Sequence, residues 1–276
     1  MTFSVTQNGN PFTDYQWDEE TKTFSTEDDN LVLDFADQGH ITFRTGSGCI
    51  FKTGHFCNFV TGSYCTFKTG SYCNFETGPE CNFETGSDCT FDTHSFCTFK
   101  TGSRCNFKTD SYCNFETGQE CNFKTDSGCI FKTGSDCTFD TGLGCNFETD
   151  SGCTFDTHSD CIFKTGYFCN FKTVSGCTFK TGSDCTFDTG SGCNFETFSD
   201  CTFKTGHSCV IVRRDVFEVI QPTEGQKIKL NELNVTGYTI INPTHKIVID
   251  GKEIEISEEN FLKLKESLFP KCIIHS

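Results

Sequence analysis

An all-β solenoid is the fold class this chain predicts, and three observations predict it. Cysteine recurs every eight residues from Cys49 to Cys209, which places 21 of the 22 cysteines in one series. Phenylalanine stands two residues after the cysteine in every unit from Phe51 to Phe203, with Ile211 in the last. Thr-Gly-Ser or a close variant joins the units without insertion, and 133–140 (TGSDCTFD) returns letter for letter at 181–188. A period of eight fits neither an α-helix nor a heptad. A strand of about five residues and a corner of about three make one side of a stacked coil.

Within a unit, T-G-S-x-C-x-F-z, Cys and Phe are two apart and share the inner side of a strand. The residue between them is Thr, Asn or Ile, and z is mostly Lys, Glu or Asp, as expected of a solvent face. Cys89 with Phe91, Cys137 with Phe139, and Cys185 with Phe187 exemplify the core ladder. The register extends backward with other apolar residues in the cysteine's place: Ile41 with Phe43, and Leu33 with Phe35. Cysteine therefore reads as a core filler. The glycine of T-G-S is expected to supply a positive φ at the corner. Asp110, Asp126, Asp150, His94 and His158 tolerate that geometry in its place, whereas Val174 and Phe198 fall outside the rule.

Two sides per coil, 16 residues, suit the repeat better than three sides of 24, which would crowd three Phe ladders onto one axis. With two sides, a cysteine is expected to lie across from a phenylalanine of the facing strand, small against large. Ile50, Ile130 and Ile162 are separated by multiples of 16 and fall on one face. Residues 29–212 then form roughly eleven coils, a rod of about 50–55 Å.

Each end departs from the repeat, as caps should, because an open coil end invites fibre growth. Residues 1–28 carry Pro11, Tyr15, Trp17 and Phe24 around the turn-like DEET of 18–21 and predict a hairpin cap. Residues 213–276 predict a capping module of strands and one helix. Alternating apolar residues flank Asp250-Gly251, a hairpin signal, and Ser257 precedes the amphipathic EENFLKLKESLF with Pro270 beyond it.

Tandem TGSxCxFK units followed by CVIVRRDVFEVI and a KIKLNE segment resemble uncharacterised cysteine-rich octapeptide-repeat proteins of giant DNA viruses of the mimivirus kind. The resemblance covers about residues 45–240. It implies an infected host cytoplasm or a virion, and no activity. The solenoid is more loosely similar to pentapeptide-repeat and calcium-binding β-roll proteins, at a different period.

The chemistry the sequence offers is sparse. No two cysteines are closer than eight residues and the seven histidines are scattered, unlike zinc-ligand spacing. Carboxylates do not recur at every corner, so a regular calcium array is not expected. The outward Thr row is mixed with Asn and Ile and flanked by charges, unlike a flat ice-binding plane. No nucleophile elbow, phosphate-binding glycine loop or HExxH motif occurs, so no enzyme, cofactor or metal is expected. A net charge of −16 disfavours nucleic acid as a partner. The N-terminus has no signal-peptide pattern and no apolar run reaches membrane-spanning length, so an intracellular, reducing location and no membrane partner are expected.

What remains is a non-enzymatic structural or protein-interaction rod, with a protein partner or self-association. The alternative is an acidic nucleic-acid mimic that occupies a basic groove, although z positions from Lys52 to Lys204 hold ten Lys against nine acids. Aromatic residues immediately before cysteine mark a candidate docking patch: Phe56, Tyr64, Tyr72 and Phe96, with Tyr112 and Phe168 further along.

Overall fold

The computed structural model describes residues 3–36, 38–241, 244–249 and 252–268. Alternate repeat strands enter alternate sheets, so the chain winds between two facing 15-stranded sheets and each coil takes 16 residues. Three strands precede the parallel series: β1 (Ser4–Gln7), β2 (Asn10–Pro11) and β3 (Gln16–Asp18). The series runs from β4 (Thr23–Ser25), β5 (Leu31–Asp34) and β6 (Thr42–Thr45) through to β26 (Thr202–Lys204) and β27 (Val210–Arg213). The front sheet holds β5, β7 and onward to β27; the back sheet holds β4, β6 and onward to β26. That is twelve parallel strands in each sheet, one coil more than the sequence suggests. Two sides per coil are thereby shown, and Ile50, Ile130 and Ile162 do share the front face.

Each strand turns three residues inward: Cys, Phe and the Thr of the next T-G-S. Phe is central, so facing phenylalanines meet each other rather than a cysteine. Along one sheet the rings stack, as Phe75 on Phe91 at 4.8 Å and 3°, which is the spacing of stacked strands. Across the core they pack edge to face, as Phe83 on Phe91 at 5.2 Å and 76°, the arrangement the ring quadrupole favours. Cys faces Thr across each corner, shown where Thr197 Oγ1 lies 3.1 Å from Cys201 Sγ. The expected small-against-large packing is thus replaced by Phe on Phe at the centre and Cys on Thr at the edges. The strand has three inner positions instead of two.

The left-handed residue of the corner is not the glycine of T-G-S. It is the residue before cysteine, where φ is 60° at Phe56, Tyr64, Tyr72 and Asp88 alike. Val174 and Phe198 keep negative φ and are unstrained there. The glycine answers a close approach: a Cβ on Gly62 would lie 2.2 Å from Ser47 Oγ and 3.0 Å from its backbone nitrogen. That proximity lets serine hydroxyls accept from the coil above, as Ser87 N–H donates to Ser71 Oγ at 3.0 Å and Ser103 N–H to Ser87 Oγ at 3.0 Å.

The backward extension of the register holds for Ile41 and Phe43 but shifts by two before them. Leu33 pairs with Phe51, so Leu31 takes the cysteine place and Leu33 the phenylalanine place. A longer connection between β5 and β6 absorbs the difference. Phe35 turns inward beyond the strand and meets Phe43 edge to face at 4.9 Å.

Antiparallel strands finish both ends of both sheets. β1 pairs with β5 and β2, and β3 pairs with β4 across the expected hairpin. Phe3, Phe12, Tyr15 and Trp17 pack on this end of the core. At the other end β28 (Glu218–Ile220) pairs with β27, β29 (Lys227–Leu230) with β26, and β30 (Tyr238–Ile240) with β29. A separate hairpin, β31 (Thr244–Ile249) with β32 (Lys252–Ser257), is followed by helix α1 (Glu258–Leu268). Among the described residues this unit contributes no strand to either large sheet, and its helix packs beside its own hairpin. Strands β28–β30 thus extend both sheets past the last coil.

Candidate interaction surfaces

Two broad faces, two long edges and two ends make up the surface. The outward row of the back face is Thr and Asn throughout, from Thr42 to Thr202, with amide ladders such as Asn74 Nδ2 to Asn58 Oδ1 at 2.9 Å. The front face carries Ile50, Ile130, Ile162 and Val210 in the equivalent row. Charged z residues pair between coils: Lys108 with Asp92 at 2.8 Å, Lys164 with Glu148 at 2.6 Å, Lys172 with Asp156 at 2.8 Å. Such exposed pairs stabilise by about 0–1 kcal/mol each. Their effect on the surface is larger, because lysines interrupt the acids along both faces, although Glu76 lies beside Asp92 and Asp140 beside Asp156.

The edges present the residues before cysteine. A 16-residue coil sends units eight apart to opposite edges, so the four aromatic residues singled out from sequence do not form one patch. Phe56 and Tyr72 stack on one edge at 4.8 Å, and His40 stacks on Phe56 at 4.8 Å. Tyr64 and Phe96 lie on the other edge, where Phe96 stacks on Tyr112 at 5.3 Å and Tyr64 donates to Glu80 Oε1 at 3.0 Å. Phe168 falls on the first edge, far along the rod. His40 was not legible as a member of the stack, because it stands one unit before the first cysteine. All six aromatic residues are held at φ of 58–61° and stand 46–64% exposed. The first edge continues with Asp88, which Arg104 grips with two bonds of 2.8 Å and so holds below the usual carboxylate range.

The thiols of the 21 repeat cysteines are buried and free. The sulfurs do work that Ile and Leu cannot: they donate to corner carbonyls, and some also accept from a backbone amide. Cys65 Sγ donates to Ser63 O at 3.5 Å and Cys65 N–H donates to Cys81 Sγ at 3.4 Å. Sulfur thus satisfies corner carbonyls and, at several coils, a backbone amide as well. Contact with the Cys57 thiol, and then burial, pushes the Cys73 thiol up to about 11. Cys89, Cys137 and Cys185 with Phe91, Phe139 and Phe187 all lie in this core, at 1% exposure or less. Among the described residues no group of three or more His, Cys, Asp or Glu is arranged to hold a metal ion.

One charged residue unforeseen in the sequence sits at the C-terminal end. Arg213 is fully buried; it pairs with Asp215 at 2.5 Å and donates to the carbonyls of Val235 (2.6 Å), Glu232 (3.2 Å) and Gly237 (3.3 Å). It ties the loop before β30 to the last coil. The RRD sequence within an apolar stretch was the available signal. Comparison of the chain with protein-family models, characterised proteins and solved structures finds no match.

Proposed function

We propose that this protein is a non-enzymatic interaction rod that presents aromatic side chains at fixed spacing along its edges. The observation that carries this reading is the choice of residue at the left-handed corner position. Glycine satisfies φ near 60° without cost, and the chain uses it at Gly48, Gly128, Gly144, Gly152, Gly176 and Gly192. A side chain there costs about 1–2 kcal/mol. Phe and Tyr at six such positions are exposed, so folding alone does not repay that cost; a docking partner would. Locally paired charge on both faces supports protein docking over mimicry of an anionic ligand. Free buried thiols and the resemblance to giant-virus repeat proteins support a reducing intracellular setting, the host cytoplasm or a virion.

The test is affinity capture from expressing or infected cells with two paired variants, Phe56→Gly/Tyr72→Gly and Tyr64→Gly/Phe96→Gly. One pair should lose a partner that the other retains, with little dependence on salt, while both melt at or near the wild-type temperature. Retention by both pairs, or competition with DNA for a basic protein that fades as salt rises, would refute it.

A further inference from the structure

We propose that two copies of the chain join front face to front face, their rods antiparallel, with the twelve strands β5 to β27 of one laid over those of the other. The outward z row of the front sheet alternates lysine and glutamate at every coil from Lys68 to Lys164. A two-fold axis along the strand direction keeps z row over z row while reversing the order of coils. Centred on the twelve strands, it passes between Glu116 and Lys132, which neighbour each other on β15 and β17. The reversed rows then set Glu116 over Lys132, Lys100 over Glu148, Glu84 over Lys164 and Lys52 over Glu196, each pair occurring twice. Of the charged pairs only Lys68 with Lys180 is alike.

The back face lacks this property. Its twelve strands β4 to β26, reversed on themselves, would set Glu76 over Asp156, Asp92 over Asp140 and Lys108 over Lys124. Each is a repulsion at the centre of the contact. On the front face the central charges are also the ones left over by the fold. Lys100, Glu116 and Lys132 are neighbours in register, yet among the described residues they form no ion pair, unlike Lys68 with Glu84 or Lys164 with Glu148. Much of the chain's −16 lies outside the contact: between 46 and 208 the corners hold ten acids against Arg104 alone. The front row from Lys52 to Glu196 holds six lysines against four glutamates.

Size and shape suit a second copy as well. The same superposition lays Val32 over Val210 and covers Ile50, Ile130 and Ile162, which stand 47–54% exposed. Twelve strands at about 4.8 Å make a face about 58 Å long, and about five residues per side make it about 16 Å wide. About 900 Å² of each copy is then covered, and a total of about 1,800 Å² is within the range of specific protein interfaces. The contact is self-complementary and closes at two copies, whereas front-to-back stacking would not close.

Light scattering and small-angle X-ray scattering on the full chain test this. In low salt the expected result is twice the 30.9 kDa chain mass, with the thickness doubled and the length nearly unchanged. At about 1 M salt, where charges are screened beyond about 3 Å, the monomer should return. Lys164→Glu should raise the dimer dissociation constant at least about tenfold, since it sets like charges together twice. Adding Glu84→Lys to that variant should restore the dimer. Residues 84 and 164 stand five coils, about 24 Å, apart in one rod, so such a rescue acts between copies. Phe56→Gly/Tyr72→Gly should leave the dimer intact, which makes this contact independent of the edges. A monomer at every concentration in low salt, a dimer of doubled length, a dimer that persists at about 1 M salt, or a double variant that stays monomeric overturns it.

Discussion

Phe139 sits between Phe123 and Phe155 in its own ladder, at 4.9 and 4.8 Å, and meets Phe131 and Phe147 edge to face at 5.2 Å. Four ring neighbours leave no side chain free to collapse into its place. Phe139→Ala should therefore destabilise by about 3–5 kcal/mol, and Cys137→Ala, which removes one sulfur and its weak bonds, by about 1–2. Urea unfolding of both variants at constant m-value checks the order. A cysteine change worse than the phenylalanine change would mean that the thiols hold or react with something. The inward direction of both residues was legible from their two-residue spacing. The bonds sulfur makes between coils were not, because their partners stand 16 or 19 residues away, as Cys65 Sγ with Gly46 O and Cys81 Sγ with Cys65 N–H.

The element whose stability depends most on one charge is the C-terminal closure of β28 to β30. Burial pushes the Asp215 carboxyl up, but bonds from Arg213 and from Asn234 N–H outweigh it and leave it below its ordinary value. A carboxylate depressed in the fold adds stability above its unfolded value, near 4, and loses it as pH falls through the lower folded value. The loop at 232–237 should thus hold at neutral pH and loosen in acid before the coils do. Amide exchange, corrected for intrinsic rate, would show it. Arg213→Met should loosen the same loop already at pH 7, because Asp215 is then buried without its partner. Loss of protection uniform along the rod would contradict both expectations. Strand positions throughout the repeat were readable from sequence; this closure was not, since Arg213 finds its acceptors 19 to 24 residues away.

At the scale of the whole rod, each coil touches only its neighbours, so length is a free variable and parity is not. Deleting 133–148 removes one full coil and should leave a soluble rod that melts somewhat lower. Deleting 133–140 removes half a coil, exchanges the two sheets for everything downstream, and brings β29 and β28 to the wrong edges. That variant should aggregate or unfold, as size-exclusion chromatography and thermal melting would show. Equal tolerance of the two deletions would be incompatible with two sheets of fixed parity.

The sequence by itself determined the period, the inner and outer faces and the solenoid class, because a two-residue alternation repeated every eight residues admits few other structures. It also singled out the exposed aromatic residues, since a bulky side chain where others carry Asp, Glu or Gly is visible in the repeat. Tertiary structure decided the rest. Which residue turns left-handed depended on how closely one corner lies over the next, and placing the aromatic residues on two edges depended on coil parity. The closure around Arg213 arose from contacts between segments far apart in the chain. Local pattern specifies what a strand does to its two sides; only stacking specifies what it meets.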